Sequence, residues 1–116
     1  MADKPCLLVT GGGRGIGASV ARLAAARGYA VAINYSRSAA EAETLAKEIQ
    51  AGGGKAVALP GDVADATQVE ALFEGAESAL GPVRYLVNNA GLTGRAGRLD
   101  EAETATMERV VAVNVM

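Results

Sequence analysis

The chain has 116 residues, half of them apolar, with 11 basic and 13 acidic side chains, a formal charge of −2, one Cys and no His. That length accommodates one domain at most, and basic residues scattered among acids leave no electrostatic footprint for nucleic acid or an anionic membrane. The apolar runs are far shorter than the ~20 residues of a membrane span and the first five residues lack a secretory layout, so a cytoplasmic protein is expected, while no His and a lone Cys exclude imidazole catalysis, an internal disulfide and a credible zinc set.

The first element is the apolar run Cys6-Leu7-Leu8-Val9, a strand in which Cys6 reads as a small buried hydrophobe. Thr10-Gly11-Gly12-Gly13-Arg14-Gly15-Ile16-Gly17 follows it and opens the Ala-rich helical stretch from Ala18 to Arg27. A strand, a glycine turn and a helix in that order build a phosphate site. Backbone N–H groups at the start of a helix have no intrahelical partner and sit at the positive end of its dipole, and glycines let an anion approach them. A Walker loop is excluded, because Ala18 stands where Lys is needed. The strict G-x-G-x-x-G pattern fails as well, with Ile16 in place of its third glycine, whereas the longer TGxxxGxG form fits through Gly11, Gly15 and Gly17.

Three further β-α steps follow. A second strand over Ala30 to Ile33 leads to Asn34-Tyr35-Ser36-Arg37, and Ser38-Ala39-Ala40-Glu41 has the form of a capping box for the next helix. A third strand over Ala56 to Leu59 is followed by Gly61-Asp62-Val63, and Asp65 with Gln68 is placed to cap a third helix. Val69, Leu72, Phe73, Ala76 and Leu80 recur along that helix at three- and four-residue steps, a core-facing stripe. Gly28, Gly52 and Gly81 stand at the expected helix stops, the last reinforced by Pro82. A fourth strand over Tyr85 to Val87 runs into Asn88-Asn89-Ala90-Gly91, and after a loop from Leu92 to Asp100 an apolar helix is expected from Met107 to Val115. The order β-α-β-α-β-α-β with the start of another helix predicts an α/β domain with a doubly wound parallel sheet, which binds ligands beyond the carboxyl ends of its strands.

Those ends carry the chemistry. An NAD-binding domain usually has an acid after its second strand to bind the adenosine ribose; here none stands between Asn34 and Arg37, and Arg37 with Arg14 suits a 2′-phosphate. NADP(H) is therefore preferred, with NAD(H) left open if Asn34 or Ser36 binds the ribose. Asp62 offers a carboxylate, and the turn around it a backbone N–H, for reading an adenine edge. Asn89, Ala90 and Gly91 would by themselves be a turn, but beside three other strand-end signals they read as part of a cofactor groove.

Taken together, TGGGRGIG at residues 10–17, Asp62-Val63, NNAG at residues 88–91 and Asn114 resemble the short-chain dehydrogenase/reductase family along the whole chain, and the run from Val31 to Arg37 is similar to NADP-dependent members such as 3-oxoacyl carrier-protein reductases and glucose or ribitol dehydrogenase-like proteins. The resemblance implies a Rossmann fold and an oxidoreductase that moves a hydride between a nicotinamide cofactor and a small carbonyl or alcohol substrate. It places Thr10, Gly11, Gly13, Arg14, Gly15, Ile16 and Gly17 at the pyrophosphate turn; Asn34, Ser36 and Arg37 at the ribose end; Asp62 and Val63 at adenine; and Asn89, Ala90 and Gly91 along the path to nicotinamide. Asn88 is implied to brace neighbouring strands, and Asn114 to support a proton relay.

The family's catalytic Ser and Tyr-x-x-x-Lys are expected downstream of this chain, since Tyr29, Tyr35 and Tyr85 have no Lys four residues on. The 116 residues are therefore expected to be one dinucleotide-binding domain truncated before the catalytic half, inactive alone, with homo-oligomerisation of the complete protein a family expectation. Truncation is also expected to leave the fourth strand with a bare edge and the chain poorly soluble or partly ordered. A genuine non-catalytic nucleotide-binding module, or a decayed fragment, are the alternatives. Arg95 and Arg98 would lie near the substrate entrance, facing water.

Overall fold

A computed structural model describes residues 4–11, 13 and 15–89, and the backbone of 111–114. Its elements are β1 (Cys6–Thr10), α1 (Gly15–Ala26), β2 (Ala30–Tyr35), α2 (Ala39–Ala51), β3 (Ala56–Pro60), α3 (Ala66–Leu80), β4 (Val83–Asn88) and β5 (Val111–Asn114). All pairings are parallel and the strand order is β3-β2-β1-β4-β5. The four predicted strands and three predicted helices are present in the expected sequence, and the sheet is doubly wound.

Helices on both faces explain why the strands read as unbroken apolar runs. Leu7, Val9, Val31 and Ile33 face α1 and α2, where Ala18, Ala21, Leu45 and Ile49 meet them. Cys6, Leu8 and Ala32 face α3 and pack with Val69, Leu72, Phe73 and Ala76, the stripe anticipated from the sequence. Between them β1 and β2 expose almost no side chain before Tyr35. Helix α1 buries only small residues (Gly17, Ala18, Ala21 and Ala24), which lets its axis lie close to the sheet. In β4 the register with β1 shifts between Cys6 and Leu7, so that Val83 and Tyr85 follow each other as partners and Arg84 is extra. The irregularity reverses the side-chain alternation, placing Val83 and Leu86 together on the α3 face.

Helix ends follow their chemistry with two adjustments. Asp65 Oδ1 accepts the N–H of Thr67 at 2.9 Å and that of Gln68 at 3.4 Å, as a cap should. Ser38 stands at the N-cap of α2, but its hydroxyl makes no capping bond. At the other end of α2 the left-handed residue is Gly53 (φ 95°), one beyond the expected Gly52.

The expected helix from Met107 to Val115 is not what residues 111–114 form. They pair in parallel with β4, Tyr85 opposite Val111 and Asn88 opposite Asn114. So short an apolar run does not separate helix from strand by periodicity, but its β-branched valines favour a strand, and pairing with β4 decides it. The bare edge expected on β4 is thereby corrected, since β4 has a neighbour on each side and, among the described residues, the outer strands are β3 and β5.

Candidate functional site

The site gathers at the carboxyl end of β1. Thr10 is fully buried, and its hydroxyl accepts the N–H of Asn89 at 2.9 Å while lying within donor reach of Asn88 Oδ1 at 3.1 Å and the Val87 carbonyl at 3.4 Å. Asn89 returns the contact by donating Nδ2–H to the Gly11 carbonyl at 3.1 Å. On the other side of the turn, the Gly11 N–H donates to Asn34 Oδ1 at 3.2 Å. Gly11 has a φ of 61° and Gly15 a φ of 66°, left-handed conformations in which a side chain would be strained.

The sequence places no acid in the first turn of α1, so the helix dipole there meets no competing carboxylate of its own. Ile16 is exposed in that turn and Gly17 is buried against the sheet. Gly13 is buried against the start of α2: a Cβ built on it would lie 3.4 Å from the Ser38 Cβ and carbonyl and from the Ala42 nitrogen. The glycine turn and α2 therefore touch backbone to backbone, and a cleft of about 310 Å³ opens beside them, lined by Gly11, Gly13, Tyr35, Ser36, Arg37, Ser38 and Asn89, a volume within the usual range for small-molecule sites. Ser36 and Arg37 are exposed on its rim, and Arg37 has no ion-pair partner among the described residues, where the one salt bridge joins Arg22 to Glu48.

The structure brings Gly11, Gly13, Ser36, Arg37 and Asn89 to one cleft, with Thr10 behind it bonded to Asn89. Asn34 is beside them but buried, its amide fully engaged with backbone rather than turned to the cleft. Asp62 lies one strand over, outside the cleft lining. Its N–H is taken by Gln68 Oε1 at 2.8 Å, and its Oδ1 accepts the Ala64 N–H at 2.9 Å. The Val63 side chain belongs to the α3-side core, so only its backbone could read a base. Arg14, Ala90, Gly91, Arg95 and Arg98 lie outside the described residues, and Asn114 is placed by its backbone alone. Tyr35 and Ser38 are cleft residues that sequence reasoning passed over; the signal for Ser38 was its place at the junction of cleft and helix, where a hydroxyl can serve either.

Cys6 is buried in β1, and burial, followed by the nearby Glu77 charge, pushes its thiol up to about 11. Such a thiol stays protonated and behaves as a hydrophobe. No helix among the described residues is long and apolar enough to cross a membrane.

A parallel sheet of this order, with a glycine turn and a cleft beyond β1, defines a nucleotide-binding α/β protein. Residues 5–116 match the family described as short chain dehydrogenase, and the chain belongs to that family. It is 39% identical over 112 residues to elsinochrome reductase 1 of Elsinoe fawcettii, covering 97% of this chain and 42% of that protein, so it spans less than half the length of that relative. The short-chain dehydrogenase/reductase homolog YusS of Bacillus subtilis is 44% identical over 99 residues, which make up 85% of this chain and 90% of that one. Among solved structures, a short chain dehydrogenase from Burkholderia cenocepacia in complex with NADP superposes with a TM-score of 0.82 at 30% identity, over 96% of this chain and 54% of its own.

Proposed function

We propose that this chain supplies the NADP(H)-binding part of a cytoplasmic oxidoreductase that interconverts a small carbonyl compound and its alcohol. The observation that carries the reading is the chemistry of the cleft: Ser36, Arg37 and Ser38 follow β2 in succession, and among the described residues no Asp or Glu is in the lining and the Arg37 guanidinium is without a carboxylate partner. A carboxylate there would favour paired ribose hydroxyls, whereas a free guanidinium favours a 2′-phosphate. Family membership and the relative crystallised with NADP support the same cofactor.

The residues fit the group. Gly11, Gly13, Gly15, Ile16 and Gly17 with the start of α1 would hold the pyrophosphate; Ser36 and Arg37, joined by Arg14, the 2′-phosphate; Asp62 and the Val63 backbone the adenine; and Asn89, Ala90 and Gly91 the path toward nicotinamide. Thr10 and Asn34 hold the turn from behind. When bound, the nicotinamide supplies or accepts the hydride. Asn114 is proposed for the proton relay, and because no Tyr here has Lys four residues later, the 116 residues alone would bind the cofactor without transferring hydride. The complete protein would be a homo-oligomer.

Titration of the complete protein with NADPH and NADH tests this. Arg37→Ala is expected to weaken NADPH by about 10- to 100-fold, the worth of a charge-assisted contact, and to leave NADH unchanged. Equal affinity for both cofactors, insensitive to Arg37→Ala, refutes the preference. A second reading, a nucleotide-binding module without catalysis, is favoured by one observation: YusS is nine-tenths covered by this same stretch. A purified gene product of this length that binds NADPH and reduces no carbonyl compound would establish it.

A further inference from the structure

We propose that Asn34 is a positioning residue that sets the adenosine end of the cleft by tying three strand-end loops together with one buried amide. The inference rests on the cofactor site proposed above. Asn34 closes the apolar part of β2 and points to the α3 face, like Ala32 two residues earlier, and is 2% exposed. Its Oδ1 accepts the Gly11 N–H at 3.2 Å. Its Nδ2 donates to the Gly61 carbonyl at 3.0 Å and lies 3.4 Å from the carbonyls of Tyr35 and Leu59. Every polar contact has the right sign in this orientation; the flipped amide would set N–H against N–H and oxygen against three carbonyls.

The partners belong to different loops. Gly11 opens the glycine turn after β1, Tyr35 leads out of β2, and Leu59 and Gly61 lead from β3 to Asp62. Gly61 adds its own N–H to the Tyr35 carbonyl at 2.9 Å, and Gln68 fixes Asp62 from the first turn of α3. The phosphate turn, the Ser36–Arg37 rim and the adenine-facing loop thus share one anchor that touches no ligand itself. Loops held in the binding conformation beforehand do not have to be ordered by the ligand, which raises affinity without a new contact. A ribose ligand would need its amide at the surface, and this one is enclosed beneath α3, with the Gly61 Cβ position 3.5 Å from Nδ2 and 3.9 Å from Leu72 Cβ.

The test uses the complete protein, calorimetry with adenosine 2′,5′-bisphosphate, and amide hydrogen exchange. Asn34→Leu keeps the branched outline of the side chain and removes every side-chain hydrogen bond, and Asn34→Ser is the smaller, milder variant should the first not fold. Either is expected to weaken the bisphosphate by about tenfold and to accelerate exchange at Gly11, since each strands buried donors and acceptors. Ile49→Ala, in the last turns of α2 away from the cleft, should lower stability and leave both readouts unchanged. Wild-type affinity in a folded Asn34 variant overturns the inference, as does rapid exchange of the Asn34 side-chain protons in the wild type. A wild type that binds neither the bisphosphate nor NADPH instead refutes the proposed function, and the exchange result then decides the anchor on its own.

Discussion

Replacing Thr10 by Val tests how the glycine turn is held to β4. The two side chains have nearly the same shape, so the substitution removes the hydroxyl and little else. That oxygen accepts the Asn89 N–H at 2.9 Å and faces Asn88 Oδ1 at 3.1 Å, in a position with no solvent exposure. Stranding a part-buried N–H costs about 1–3 kcal/mol, and a methyl in place of the hydroxyl recovers at most about 0.8 kcal/mol of apolar burial. The net expectation is a loss of roughly 0.2–3 kcal/mol, about 1 kcal/mol at mid-range, read in the complete protein as a lower urea midpoint with unchanged slope. Asn89 also holds the Gly11 carbonyl, so the nucleotide affinity should fall with it. Thr10→Ser provides the contrast: it keeps the hydroxyl and loses a buried methyl, so stability should drop by about 1 kcal/mol while affinity stays. A Thr10→Val protein as stable as wild type, or a Thr10→Ser protein that loses just as much affinity, refutes the reasoning.

Phe73→Ala should cost about 3–5 kcal/mol in a denaturant melt, because the ring is 2% exposed in the α3-side core. Gly13→Val would drive branched methyls into the first turn of α2, whose atoms stand 3.4 Å from the Cβ position, and NADPH titration should show a loss on the order of tenfold, the scale of an overpacking strain. Cys6 bears on pH: its thiol ordinarily titrates near 9.0 and in the fold near 11, so the folded state keeps a proton that the unfolded chain loses. Stability from this group is complete below pH 9 and falls by up to about 3 kcal/mol as pH rises toward 11. Subtracting the pH profile of Cys6→Val from that of wild type isolates the effect, and parallel profiles would count against it.

The strands and helices were legible because their signals are local. Unbroken apolar runs marked β1 and β2, the three- and four-residue spacing from Val69 to Ala76 marked α3, and Asp65 caps α3 where its type and place suggested. What stayed hidden depends on partners distant in sequence. Arg84 becomes an extra residue only against the register of β1. Residues 111–114 carry a pattern that suits helix or strand, and the β4 edge selects the strand. Gln68 is expected to cap α3 together with Asp65, and its Nε2 reaches Asp65 Oδ2 at 3.3 Å; that its oxygen also takes the Asp62 N–H depends on the loop after β3. Asn34 was ambiguous for a related reason, since an amide at the end of β2 suits a surface ribose ligand or a buried anchor, and the cover given by α3 settles which face it takes.

The strand order itself accounts for where the cleft forms. Because β1 lies between β2 and β4, the turn that leaves it is the one that side chains from two neighbouring strands can reach. Asn34 at the end of β2 holds the Gly11 N–H, and Asn89 just past β4 holds the Gly11 carbonyl, so the peptide groups on both sides of one glycine are fixed from opposite directions. Glycine loses more backbone freedom on ordering than any other residue, about 1–2 kcal/mol or more, and two hydrogen bonds of roughly 0.5–1.5 kcal/mol each are of the size needed to offset it. A turn that is to admit a phosphate, as proposed for this one, cannot be fixed by bulk of its own. Polar side chains from flanking strands can hold it in shape while leaving its ligand-facing side bare, and that requires a central strand whose neighbours end beside it.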